Sequence, residues 1–181
     1  MTITAPPPST PSSASLQPSG WLRYFSFSVD HKVIGLQYLV CGFAFYLIGG
    51  AMAGAIRTEL LSPISDFMPR DVYNQILTLH GTVMIFLWIV PVVNGAFGNY
   101  LIPFYVGARD MAYPRLNAVA FWLIPPAGLM LISSYFITGA AQSGWTAYPP
   151  LSITTPATGQ IIWILSVLLP VSYTHLTLPT T

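Results

Sequence analysis

From Ile76 to Val106 the chain reads ILTLHGTVMIFLWIVPVVNGAFGNYLIPFYV, uncharged throughout apart from any proton His80 carries. A hydrocarbon layer of ~30 Å needs only about 20 apolar residues at 1.5 Å rise each, so this stretch of about 30 exceeds one span. It must tilt, kink or protrude. Pro91 removes a backbone donor near its middle, and Asn94 and Asn99 follow. The distal half is therefore expected to be bent and polar on one face.

The rest of the chain has the same character. It is 54% hydrophobic and 6% charged with a mean hydropathy of +0.64, where a soluble chain carries about 25% charged residues. A water-soluble domain is excluded. A net charge of +1 supplies neither a basic footprint for nucleic acid nor an acidic surface for cations, so membrane lipid is the default surrounding.

A first span runs from Val33 to Ala55, between the charged residues Asp30-His31-Lys32 and Arg57 and Glu59. Gly50 and Gly54, four apart within it, mark either a close helix–helix contact or a chance spacing. A third span runs from about Leu116 to Ala141 with Pro125-Pro126 near its centre, and a fourth begins near Gln160 and is cut off by Pro170. The expected fold is all-α: a polytopic transmembrane helix bundle with three complete spans and a truncated fourth. Arg23, Lys32, Arg109 and Arg115 fall on one side of this topology. Arg57 and Arg70 fall on the other, with Glu59, Asp66 and Asp71. By the positive-inside rule the N-terminus is cytoplasmic, in a bacterial-type inner membrane. Cys41, the one cysteine, excludes an intrachain disulfide and reads as a packing residue.

Three segments follow. Residues 1–29 are a leader and pre-membrane segment, Pro/Ser/Thr-rich over the first twenty and lacking the early basic residue and apolar core of a cleaved signal. Residues 30–170 are the membrane body. Val171–Thr181 (VSYTHLTLPTT) replaces apolar sequence with Thr-rich polar sequence after about ten residues of helix, too few to cross a bilayer. One codon choice for it, GTCTCTTATACACATCTGACGCTGCCGACGA, resembles read-through of a transposase-type sequencing adapter. These residues are expected to be non-native, and His175 is given no role. Resequencing the native gene across Pro170 tests this, and recovery of the same residues would end it.

An ionisable group inside a membrane helix is costly enough to need a reason, which draws attention to His80. Neutral imidazole is a good iron ligand, and Gly81 beside it removes bulk where a flat macrocycle could approach. The residues alone leave open a ligand or a hydrogen-bonded structural histidine. Arg57 equally reads as the end of the first helix paired with Glu59, Trp145 as part of an interfacial aromatic belt, and Asp110 as a loop carboxylate balanced by Arg109 and Arg115.

The motifs DHKVIG, AIRTEL, YNQILTLHGTVMIF, GAFGNYLIP, GARDMAYPRLNAVAFWLIPP and GWTAYPPLS resemble, in order and spacing, the opening third of haem-copper terminal oxidase subunit I, over about Asp30 to Leu169. The resemblance implies that His80 is one of two axial ligands of a low-spin haem, the one-electron relay to the oxygen-reducing centre. It implies that Arg57 hydrogen-bonds the haem formyl group and raises its potential, that Trp145 reaches the propionate region, and that Tyr73 lies near the same haem. Asp110 then resembles the carboxylate at the mouth of a proton-uptake channel, with Asn99 and Asn117 just inside it, where amides can hold a file of water. The other axial histidine, a second haem and copper are implied only for later helices.

The resemblance thus implies part of a proton-translocating cytochrome c oxidase that reduces oxygen to water, inactive as this fragment alone. The implied partners are other oxidase subunits, especially a subunit II, and cytochrome c. A quinol-oxidising relative shares these motifs. A transporter using His80 as a proton relay is the reading from another class, and reduced-minus-oxidised spectra separate it from an oxidase.

Overall fold

The computed structural model describes residues 20–61, 63, 67–137, 139–155 and 157–177. The leader reading over residues 1–19, the side assigned to Asp66 and the tail reading over residues 178–181 lie outside them. A short 3-10 turn, Gly20–Phe25, precedes four long helices: α1 (His31–Glu59), α2 (Arg70–Val106), α3 (Pro114–Ile137) and α4 (Ala157–Thr177). The first three are long and apolar enough to cross a membrane. The apolar part of the fourth, Ala157–Ser172, is shorter, so the bundle has the expected class of three spans and a shorter fourth.

Local chemistry sets the helix ends. Asp30 caps α1, its carboxylate accepting from Lys32 N–H at 2.9 Å, so the helix begins before the apolar run does. In α2 Asp71 stands in the first turn, where the helix dipole favours a negative charge, and the helix starts six residues ahead of Ile76. Its other end is Gly107, whose φ of +71° is the left-handed conformation that closes a helix without steric cost. The third helix stops at Ile137 rather than continuing to Ala141, with Gly139 at φ +77° just beyond it. Pro170 does not end α4, which runs on to Thr177. A proline deletes one backbone bond and bends a helix more readily than it stops one.

The middle of α2 is wound more loosely than an α-helix. Val83–Ile89 and Pro91–Gly98 are π-helical, and Val90 N–H donates to Ile85 O, five residues back. The wide turns surround Pro91, whose missing donor already breaks the four-residue ladder.

Helix α1 lies along α2 and meets the first half of α3, and α4 packs along α3. The close contacts are aromatic rings set against glycines. Tyr38 is fully buried against Gly95, where an added Cβ would sit 2.5 Å from the ring, and it meets Phe121 of α3 edge-on at 5.1 Å. Phe45 occupies the corresponding gap at Gly128. Among the described residues Gly50 and Gly54 mediate no contact, since a Cβ on either would meet nothing within 4 Å. The α1 glycines that face α2 are Gly35, Gly42 and Gly49, seven apart, against Ala96, Val92 and Met84. Val40, Phe43 and Leu47 on the other side of α1 are exposed. Cys41 is half-buried and packs against the core.

Candidate functional site

His80 lies ten residues into α2, about 15 Å from the helix start at 1.5 Å per residue. It is half-buried, and its Nδ1 stands 2.9 Å from the backbone carbonyl of Gly49 on α1. A carbonyl can only accept, so Nδ1 carries the proton and donates. In the neutral ring this leaves the Nε2 lone pair available, with no hydrogen bond among the described residues. A histidine ligand has this arrangement: the second nitrogen is tied to a backbone oxygen, which fixes tautomer and ring direction. Gly49 suits the role because a Cβ there would lie 2.6 Å from Met84 Sδ, so glycine brings the carbonyl close to α2.

Trp145 is brought to the same region by a loop pinned on α2. Ala140 N–H donates to Gln75 Oε1 at 3.2 Å, and Gly144 N–H to Thr78 Oγ1 at 2.9 Å. Ser143 Oγ bonds Gln160 Oε1 at 3.1 Å, and Trp163 Nε1–H donates to Thr82 Oγ1 at 2.9 Å, so α4 is fastened to the same face. The bulk missing at Gly81 makes room for the Trp145 indole, whose Cδ1 would lie 3.1 Å from a Cβ added there. That corrects the expectation that Gly81 clears space for a macrocycle. Trp145 is 45% exposed, so one side of the indole remains open beside the histidine helix.

Arg57, exposed in the last turn of α1, lies eight residues beyond Gly49, about 12 Å further along the helix. Glu59 does not pair with it. Its Oε2 instead accepts from Met68 N–H at 3.0 Å and closes the loop to α2. Tyr73, half-buried two turns before His80 on α2, makes no hydrogen bond to it.

The opposite end of α2 carries a second polar cluster. Asn99 and Asn117, 1% and 2% exposed, join α2 to α3: Asn117 Nδ2–H donates to Asn99 Oδ1 at 2.5 Å, and Asn99 Nδ2–H donates to Gly95 O at 2.6 Å. Asn117 Oδ1 is buried with no hydrogen-bond partner, which is costly unless a water supplies the missing proton. Asp110 belongs to the loop connecting the two helices. Its Oδ1 accepts from Met111 N–H at 2.8 Å, and it makes no bond to either asparagine. The structure thus brings the two asparagines together and leaves Asp110 half-exposed outside them.

One member of this cluster was hidden in the sequence. His31, 6% exposed at the start of α1, donates from Nδ1 to Asn99 O at 2.9 Å. In sequence it reads as one of three polar residues where a helix leaves the membrane. Its partner is 68 positions away, which no local pattern reveals.

Residues 33–178 match the family model described as cytochrome c and quinol oxidase polypeptide I. The chain belongs to this family. Among relatives of this oxidase polypeptide, cytochrome c oxidase subunit 1 of Thermostichus vulcanus is 59% identical over 165 residues, covering 90% of this chain and 30% of the relative. The subunit 1 of Synechocystis sp. is 62% identical over 149 residues, 82% of this chain and 27% of the relative. That of Corynebacterium efficiens is 43% identical over 143 residues, 77% and 24%. The chain therefore spans less than a third of the length of these oxidase subunits. His80, Arg57, Tyr73, Trp145, Asp110, Asn99 and Asn117 all lie in the part matched by the oxidase family, and His31 lies two residues before it.

Proposed function

We propose that this chain supplies the N-terminal helices of the catalytic subunit of a respiratory terminal oxidase, which takes electrons from cytochrome c, reduces oxygen to water and takes up protons from the cytoplasm. Its place in the oxidase family supports the class, and the identity of these relatives, all cytochrome c oxidase subunit 1, supports cytochrome c over quinol as donor. A subunit II would receive those electrons. The excess of Arg and Lys at the N-terminal end supports a cytoplasmic N-terminus.

The observation that carries the reading is the His80 Nδ1–H bond to Gly49 O. It presets the tautomer whose Nε2 can ligate haem iron, and it holds the ring against rotation. Bound there, a low-spin haem supplies a one-electron carrier. His80 would ligate its iron through Nε2, and Arg57, Trp145 and Tyr73 would contact it, the guanidinium of Arg57 drawing electron density from the ring. At the other end Asp110 would take protons from the surface. The Asn99–Asn117 pair would then hold the water through which they move inward, with the partnerless Asn117 Oδ1 as an acceptor for one such water. A second haem and copper belong, in this reading, to later helices.

The test is His80→Ala in the full-length subunit, read by reduced-minus-oxidised spectra. Loss of the six-coordinate haem band is expected. A variant that kept the band and respired normally would overturn the proposal. Wild type without any haem band would leave the transporter reading, and turnover with quinol in place of cytochrome c would reassign the donor.

A further inference from the structure

A groove of about 630 Å³ runs between the start of α1 and the end of α2. Its floor is the point where Gly35 lets the helices touch, a Cβ there falling 3.1 Å from Ala96 O. Its walls are apolar and face outward: Leu36 and Leu39 are each 38% exposed, and Phe97 and Tyr100 about half. The mouth is basic. Arg23, Asp30 and Lys32 line it, and an adjoining cavity that shares Lys32, Tyr100 and Leu101 adds Arg109. Among the described residues the Asp30 carboxylate is committed to Arg23 and to the Lys32 backbone N–H, so the ammonium of Lys32 and the guanidinium of Arg109 are left without a carboxylate. Arg23 Nε is buried with no hydrogen-bond partner.

We propose that this groove binds an anionic phospholipid, its phosphate held at the mouth by Lys32 and Arg109 and one acyl chain lying along Leu36, Leu39 and Phe97. Cations at the membrane surface above an apolar channel between helices match the charge and shape of such a lipid, whereas a soluble anion would leave the channel unused. A neighbouring groove shows what the cations add. The cavity of about 410 Å³ bounded by Trp21, Tyr24, Val40, Phe121 and Trp122 is as apolar but has no charged residue in its lining, so it offers hydrocarbon contact without selection by headgroup. The site is separate from His80, borders the asparagine cluster only at His31, and does not depend on the oxidase chemistry.

The experiment is native mass spectrometry of the full-length oxidase complex in detergent, incubated with phosphatidylglycerol or phosphatidylcholine of the same chain length. Wild type is expected to retain phosphatidylglycerol preferentially, and Lys32→Gln to retain it roughly fivefold less. Leu39→Trp, which fills the groove and leaves every charge in place, is expected to reduce retention as well. The haem spectrum of each variant checks that the complex has assembled. Equal retention of the two lipids by wild type, or retention unchanged in both variants, would overturn the proposal, the latter being the result if later helices cover the groove. Displacement of the lipid by inorganic phosphate with Leu39→Trp behaving as wild type would overturn it too, by making the site one for free anions.

Discussion

His80 and Asn99 stand on the same helix, nineteen residues apart, and each is tied to a neighbouring helix, but the two ties have opposite consequences. At His80 a single bond to Gly49 O uses one ring nitrogen and leaves the other as a directed lone pair. At Asn99 the side chain is used at both ends, by Gly95 O and by Asn117, and His31 takes its backbone carbonyl. The surplus capacity there is passed to Asn117 Oδ1, an acceptor inside the bundle. The first arrangement suits a rigid ligand. The second suits exchangeable water, because amides donate and accept without changing charge.

Five substitutions in the full-length subunit, one of them a control, test that contrast, beginning with the largest expected effect. His80→Leu removes the ligand and is expected to abolish the low-spin haem band, whereas Asn117→Leu should leave the band intact. Asn117→Leu removes both the donor to Asn99 and the acceptor for water. We expect it to slow proton uptake and turnover roughly tenfold, the equivalent of about 1.4 kcal/mol, as measured by stopped-flow pH-indicator kinetics. A smaller effect is predicted for Gly95→Ala. Its new Cβ would meet the buried Tyr38 ring at 2.5 Å, and ring and backbone must move apart at a cost of about 1–3 kcal/mol. The midpoint of thermal loss of the haem band should fall, while Gly50→Ala, facing open space, should shift it little. The mildest is Thr78→Val, which deprives Gly144 N–H of its acceptor at about 1 kcal/mol and should loosen Trp145, seen as a change in its fluorescence with the haem band retained.

The spans were legible because they depend on unbroken apolar length, which a sequence shows directly. Their ends shifted by a few residues where caps and left-handed glycines, not hydropathy, decide. The spacing of Gly50 and Gly54 left a contact or chance open, and among the described residues it marks no contact. Four-residue spacing is a local signal, whereas the contact surface, Gly35-Gly42-Gly49, follows a seven-residue repeat along a partner helix. His80 stood out as an ionisable residue in hydrocarbon, and Gly49 could not, because a backbone carbonyl has no sequence signature. His31 was overlooked for a related reason. A histidine beside Asp30 and Lys32 looks solvated, and only the return of α2 beside α1 buries it.

The wide turns around Pro91 also act as a rotational buffer between the two halves of α2. An α-helix advances about 100° per residue, and a π-turn absorbs an extra residue without lengthening the strictly helical ladder. Deleting one residue between Val83 and Gly98 would therefore close a wide turn into an ordinary one and leave the directions of His80 and Asn99 nearly unchanged, whereas the same deletion in an α-helical stretch would turn everything beyond it by about 100°. The π-helical stretch is thus the place where the number of residues between His80 and Asn99 can change with little change in their angular relation.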